Sequence, residues 1–221
     1  MTLAVYWHLT ARGACLLLMA AVLLSAFEPY DHWPDNASWL TLVELTQELP
    51  VGPKIVTRRY PVDFEAARAR LREDLAANYD FALHLGQSPG ISRIHLEAIG
   101  VNVGGHSSQI ADEFQPLVAG GPAAYQSSLP LADWAAKIRS LGVPCQVSYH
   151  AGTYLCNALL YLTHHFAREQ GLKTRAAFIH LPLAPQQVLG RRQDWPTLTS
   201  GQCAEALRVI LQELAGVEVL T

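Results

Sequence analysis

The chain is poor in charge, poor in cysteine and without a long apolar run, and each lack removes a class of function. Only 16% of its 221 residues are charged while 50% are hydrophobic, the reverse of the balance in disordered or coiled-coil chains. Lysine and arginine number 16 and aspartate and glutamate 19, which gives −3 with histidine neutral. There is no basic run, so phosphate neutralisation has nothing to act through and no nucleic-acid partner is expected. The four cysteines are Cys15, Cys145, Cys156 and Cys203, and none forms a CxxC pair, which argues against a zinc ribbon or a thioredoxin motif. Cysteine this sparse points to a reducing compartment with free thiols. The most apolar stretch, from Ala14 to Leu24, is about eleven residues long where a membrane-spanning helix needs about twenty. A signal peptide has a similar apolar stretch, and here Arg12 precedes it and the small Ser25 and Ala26 follow. A buried first strand of a parallel sheet reads the same way.

There are no repeats or low-complexity segments, and the length fits one domain. Strand-like runs alternate with helix-like segments. Strands are expected over Ala21–Ser25, Lys54–Tyr60, Phe81–Leu85, Cys145–Ser148 and Ala176–Leu181, with a further apolar, β-branched run from Ile94 to Val103. Helices are expected over Trp39–Leu49, with Leu42, Leu45 and Leu49 on one face and Asn36 or Ser38 as cap, and over Phe64–Ala77, Leu131–Leu141, Tyr154–Gln170 and Ser200–Ala215. The Gly104–Pro130 region, rich in glycine, serine and proline, reads as a long loop, and loops of that length inside a domain are usually functional. The alternation predicts a single three-layer α/β/α domain with a largely parallel twisted sheet. Ligands of such sheets sit at the carboxyl ends of strands.

The most informative junction is Val147 to Asn157, where a strand ends, a glycine turn follows and a helix begins. Cys156 falls in the first helical turn, where the helix dipole and unpaired N–H groups favour a thiolate and can hold an oxyanion. A buried cysteine is also a common apolar filler, so position alone leaves both readings open. A thiol nucleophile needs a base, and among the nine histidines His180 is best placed, closing the apolar strand Phe178-Ile179-His180-Leu181 before Pro182. His84 is the runner-up, and each could equally be a satisfied core histidine. His164 and His165, adjacent on a helix, point apart and make a poor metal pair. Glu97 interrupts the apolar run at Ile94–Asn102, and a carboxylate there needs a partner, a histidine or a substrate amide, unless it faces solvent.

In sequence order, Ala26-Phe27-Glu28-Pro29-Tyr30, Asn36-Ala37-Ser38-Trp39, Leu85-Gly86-Gln87, Glu97 through Asn102, Gly121-Pro122-Ala123-Ala124-Tyr125 with Leu129-Pro130, Ser148 through Asn157 and Phe178 through Pro182 resemble successive motifs of the pyroglutamyl peptidase I family of cysteine peptidases. Any one of these motifs is weak evidence; their common order is specific. The resemblance runs from about Met19 to the last helix. It implies hydrolysis of the bond after an amino-terminal pyroglutamyl residue, by a triad of Cys156, His180 and Glu97 and without a metal or organic cofactor. It also implies that Phe27 and Tyr154 flank the lactam ring, with Tyr30 nearby and Gln87 in the same pocket region. The expected partners are peptides with an amino-terminal pyroglutamate, and no membrane; the oligomeric state is open and includes a homo-oligomer.

The departures from the family pattern are local. The arginine after the glutamate is Ala98, the paired glycines after the opening aromatic are Asp31-His32, and the loop after Asn102 reads Gly104 to Asp112 without the usual Arg-Ile-Pro-Asp-Asn. They put substrate contacts in doubt and leave the triad intact, so a related thiol amidase of altered specificity stays open, as does a non-catalytic binder of blocked peptide amino termini. From Met19, the second of two methionines, the chain reads like a family amino terminus. Residues 1–18 are therefore expected to be an upstream extension, loosely attached or not translated, with the peptidase domain over 19–221 and the protein in the cytoplasm.

Overall fold

The computed structural model describes residues 19–106 and 108–216. Along them run β1 (Ala21–Phe27), α1 (Ala37–Gln47), β2 (Lys54–Tyr60), α2 (Phe64–Leu75), β3 (Phe81–Gln87), β4 (Ile94–Glu97), β5 (Ile99–Val101), β6 (Ala124–Gln126), α3 (Leu131–Ser140), β7 (Cys145–Ser148), α4 (Leu155–Glu169), β8 (Arg175–Leu181), α5 (Pro185–Val188) and α6 (Ser200–Ala215). Cys15 and the proposed extension over 1–18 lie outside the described residues.

The central sheet is ordered β2-β1-β3-β8-β4-β7. All neighbouring pairs are parallel except β4 with β8, so β4 and β7 run against the other four strands. Central strands have both faces covered, which is why β1, β3 and β8 are apolar almost throughout. Their side chains alternate between two cores. Val22, Leu24, Phe81, Leu83, Ala177 and Ile179 meet α1, α3 and α6 on one face. Leu23, Phe27, Ala82, Ala176 and Phe178 meet α2 and α4 on the other. By the same alternation His180, two residues after Phe178, is on the α4 face.

Asn36 caps α1, its side chain accepting from the Ser38 N–H at 3.0 Å, and Asp63 caps α2 by accepting from the Ala66 N–H at 2.8 Å. The helix of α1 ends at Gln47, so Leu49 is not part of its buried face and is 42% exposed. The apolar run from Ile94 to Val103 is two strands in two sheets. At Ala98 the N–H donates to Ser148 O, beyond which β5 pairs antiparallel with β6. That small ladder lies close against α4: a Cβ on Gly100 would stand 2.7 Å from the Tyr161 nitrogen, so only glycine fits there. The expected long loop is accordingly less bare than its composition implies, with a 3₁₀ turn at Ala111–Glu113 and β6 within it.

Candidate active site

Helix α4 opens at Leu155 with Tyr154 at the cap position and no side chain satisfying its first N–H groups. Cys156 is therefore the second helical residue, half-buried, at the positive end of the dipole. The helix is held in place by its buried stripe of Leu155, Leu159, Leu162 and Phe166. It is also held by Asn157, whose Oδ1 accepts from the Val101 N–H at 2.8 Å and whose Nδ2 donates to Val101 O at 2.9 Å and Val103 O at 2.8 Å. The thiol lies against Gly86 of β3, where a Cβ would be 3.1 Å from the sulfur and 2.5 Å from the Phe178 ring. Glycine at this position thus makes room for the thiol.

His180 closes β8 and lines the pocket beside Cys156, close enough for the sulfur to act on its charge. Its Nδ1 is 2.8 Å from Glu97 Oε1, which leaves the other ring nitrogen for the sulfur. Glu97 pairs in register with Phe178, so it is the diagonal neighbour of His180 on the same face of an antiparallel pair, within reach of a long side chain. Burial opposes a charge on His180, but the Cys156 sulfur and the Glu97 carboxylate outweigh it and raise its pKa above the ordinary histidine value. Glu97 is 1% exposed, and its Oε2 has no hydrogen-bond partner among the described residues.

A pocket of about 560 Å³ opens over these groups and is lined by Phe27, Tyr30, Gln87 and Tyr154 together with Cys156, His180 and Glu97. The seven residues to which the family resemblance assigns a role therefore meet at one cavity. Phe27 packs on Phe178 with ring centroids 6.3 Å apart. Tyr154 stands edge-on between Phe64 and His106, at 5.1 and 4.7 Å. Burial, and then the neighbouring Cys156, push the Tyr30 phenol up to about 12, so it is a neutral hydroxyl wall.

His84, the runner-up base, is not at this site. It is fully buried, with Nδ1 2.6 Å from Ser25 Oγ and Nε2 2.8 Å from Thr163 Oγ1, and burial pushes its pKa down to about 3. It is a satisfied core residue. Sequence reasoning missed His95, His106 and His150 in the pocket wall. His95 lies opposite His180 in the sheet, with Nδ1 3.9 Å from Glu97 Oε1; the strand alternation that puts Glu97 on this face would have found it. Asp31, where the family pattern has glycine, holds φ at 56°, the backbone region glycine favours, and pairs with His32 at 2.8 Å. Among the described residues no group of three His, Cys, Asp or Glu side chains is arranged to hold a metal ion.

A thiol at a helix start, linked through histidine to a buried carboxylate on an α/β/α scaffold, is the geometry of a thiol hydrolase. The family model described as pyroglutamyl peptidase matches residues 20–215. The pyrrolidone-carboxylate peptidase of Clavibacter michiganensis subsp. michiganensis is 36% identical over 201 residues, 88% of this chain and 92% of that protein. That of Pseudomonas fluorescens is 37% identical over 185 residues, 79% of this chain and 84% of that protein. The pyrrolidone carboxyl peptidase structure from Fervidobacterium islandicum AW-1 is similar with a TM-score of 0.83 at 30% identity, covering 88% of this chain and 98% of that one. The chain belongs to the pyroglutamyl peptidase family.

Proposed function

We propose that this protein removes an amino-terminal pyroglutamyl residue from peptides, with Cys156 as nucleophile, His180 as acid and base, and Glu97 orienting His180. The observation that carries the reading is Cys156 beside a His180 that is hydrogen-bonded to Glu97, in a pocket walled by Phe27, Tyr30, Gln87 and Tyr154. Pyroglutamate is a flat, neutral ring with one amide N–H and one carbonyl. Aromatic walls suit its faces, and the donor on Gln87 suits its carbonyl.

In this mechanism the thiol proton passes to His180, and the thiolate attacks the pyroglutamyl carbonyl carbon. The free N–H groups opening α4 hold the oxyanion. The imidazolium gives its proton to the departing amine, leaving a thioester. Water, deprotonated by His180, then attacks the thioester and restores the thiol. The free thiols of Cys145, Cys156 and Cys203 support a cytoplasmic location. The altered loop after Asn102, which brings His106 to the pocket, favours a second reading as a thiol amidase of shifted specificity. A pyroglutamyl-linked chromogenic amide assayed beside its prolyl counterpart tests both. Cleavage of the first alone is expected; cleavage of neither, with turnover of another acyl amide, favours the second.

A further inference from the structure

Two buried glutamines join behind the pocket wall, and backbone groups of fixed polarity decide which way each amide points. Gln187, in α5, accepts at Oε1 from the Ala184 N–H at 2.8 Å. Its Nε2 donates to Asp35 O at 3.0 Å. A backbone N–H only donates and a carbonyl only accepts, so this amide has one orientation. Its other N–H donates to Gln87 Oε1 at 2.7 Å. The same oxygen accepts from the Ala37 N–H, at the start of α1, at 2.8 Å. Two donors thus converge on Gln87 Oε1. That leaves Gln87 Nε2 on the other side, buried, with the Tyr30 hydroxyl beside it but no hydrogen bond of ordinary geometry among the described residues, on a residue that lines the pocket.

We propose that Gln187, which does not itself line the pocket, is a positioning residue for specificity: it locks Gln87 so that the pocket offers a hydrogen-bond donor and selects rings that bear a carbonyl. The inference rests on the reading of this cavity as a lactam site. A buried donor left unpaired is costly, and a ring carbonyl relieves it, whereas a proline ring does not. Without the Gln187 donor, only the Ala37 N–H opposes a turn of the Gln87 amide. A turned amide presents an oxygen to the lactam oxygen and repels it.

The test uses the full chain. Gln187→Met removes the donor at similar length; Gln187→Glu keeps an acceptor for the Ala184 N–H and replaces the donor by an acceptor. The readouts are the Kd for 2-pyrrolidone, the bare lactam, by calorimetric titration; kcat and KM for a pyroglutamyl amide; and the rate of thiol alkylation by iodoacetamide. Both variants should weaken lactam binding and raise KM roughly tenfold, the loss of about one neutral hydrogen bond. Alkylation and kcat should stay within about twofold, since the reacting groups are untouched. Unchanged Kd and KM in both variants, or a loss confined to kcat or alkylation, overturns the proposal. If Gln187→Met does not fold, Gln187→Glu decides. A wild-type chain that binds 2-pyrrolidone without cleaving the amide sinks the peptidase reading alone, and the Kd of the variants still decides the role of Gln187.

Discussion

At the scale of single residues, the three described cysteines differ in what surrounds them. Cys145 and Cys203 are buried, and burial pushes both thiols up to about 12, which keeps them protonated and inert. Cys156 alone meets a histidine and a helix start. Cys156→Ser should therefore lower kcat by on the order of a thousandfold or more, because an alcohol here is far harder to ionise. Cys145→Ala and Cys203→Ala should leave kcat within about threefold. Mass spectrometry after limited iodoacetamide treatment should find the label on Cys156; full activity in Cys156→Ala would sink the mechanism. Glu97 acts one atom further back. Its carboxylate favours the imidazolium, and the active pair is thiolate with imidazolium, so the alkaline limb of the rate profile marks loss of the His180 proton. Removing the negative charge in Glu97→Gln lowers the His180 pKa, and the alkaline limb should move to lower pH as kcat falls roughly a hundredfold. An unmoved limb in a folded Glu97→Gln protein would make Glu97 a purely structural group.

At the scale of elements, His84 ties three of them together. Thr163 donates to Leu159 O at 2.7 Å, so its oxygen is free to accept from His84 Nε2–H, and His84 Nδ1 accepts from the Ser25 hydroxyl. The neutral ring thereby joins β1, β3 and α4. His84→Leu loses both bonds and should cost about 2 kcal/mol in denaturant unfolding, with kcat kept in the folded fraction. The folded pKa, about 3, is below the ordinary 6.5. Between those values the unfolded chain takes up a proton that the folded one refuses, so stability should fall as pH drops from about 6.5 toward 3. His164, pushed down to about 4 by burial, adds in the same sense. Urea titrations at successive pH values should show a shallower fall in His84→Leu; an identical fall would deny His84 this role. Elements were legible in the sequence where periodicity was unbroken: Lys54–Tyr60, Cys145–Ser148 and Ser200–Ala215 have the expected bounds. Ile94–Val103 misled because its hydropathy does not change where its hydrogen-bond partners do, at Ala98. Cys156, His180 and Glu97 were legible as candidates from a helix start, a strand end and a carboxylate in an apolar run, but their grouping came from the family motifs, because their chain positions lie far apart. Gln187 was not legible, because it acts through a contact 100 residues away in a helix of four residues.

At the scale of the whole molecule, the site exists because the sheet changes direction beside β8. The carboxyl ends of β1, β3 and β8 bring Phe27, Gln87 and His180 to one rim. The reversed β4 carries Glu97 alongside β8, and the link from β7 leads into α4 and Cys156. Strand β1 is a member this arrangement cannot lose, since it lies between β2 and β3 and pairs with both over Val22 to Ser25. Removal of residues through Ala26 would take away that strand and unseat the pocket wall at Phe27. Removal of residues 1–18 leaves β1 whole, along with the Ala20 carbonyl that accepts from the Lys54 N–H at 2.8 Å. A chain that begins at Met19 should therefore fold, with a melting temperature and kcat/KM equal to those of the full chain. One that begins at Phe27 should yield no folded protein. Inactivity of the Met19 chain, or an active natural form that starts near Phe27, would refute the proposed 19–221 domain.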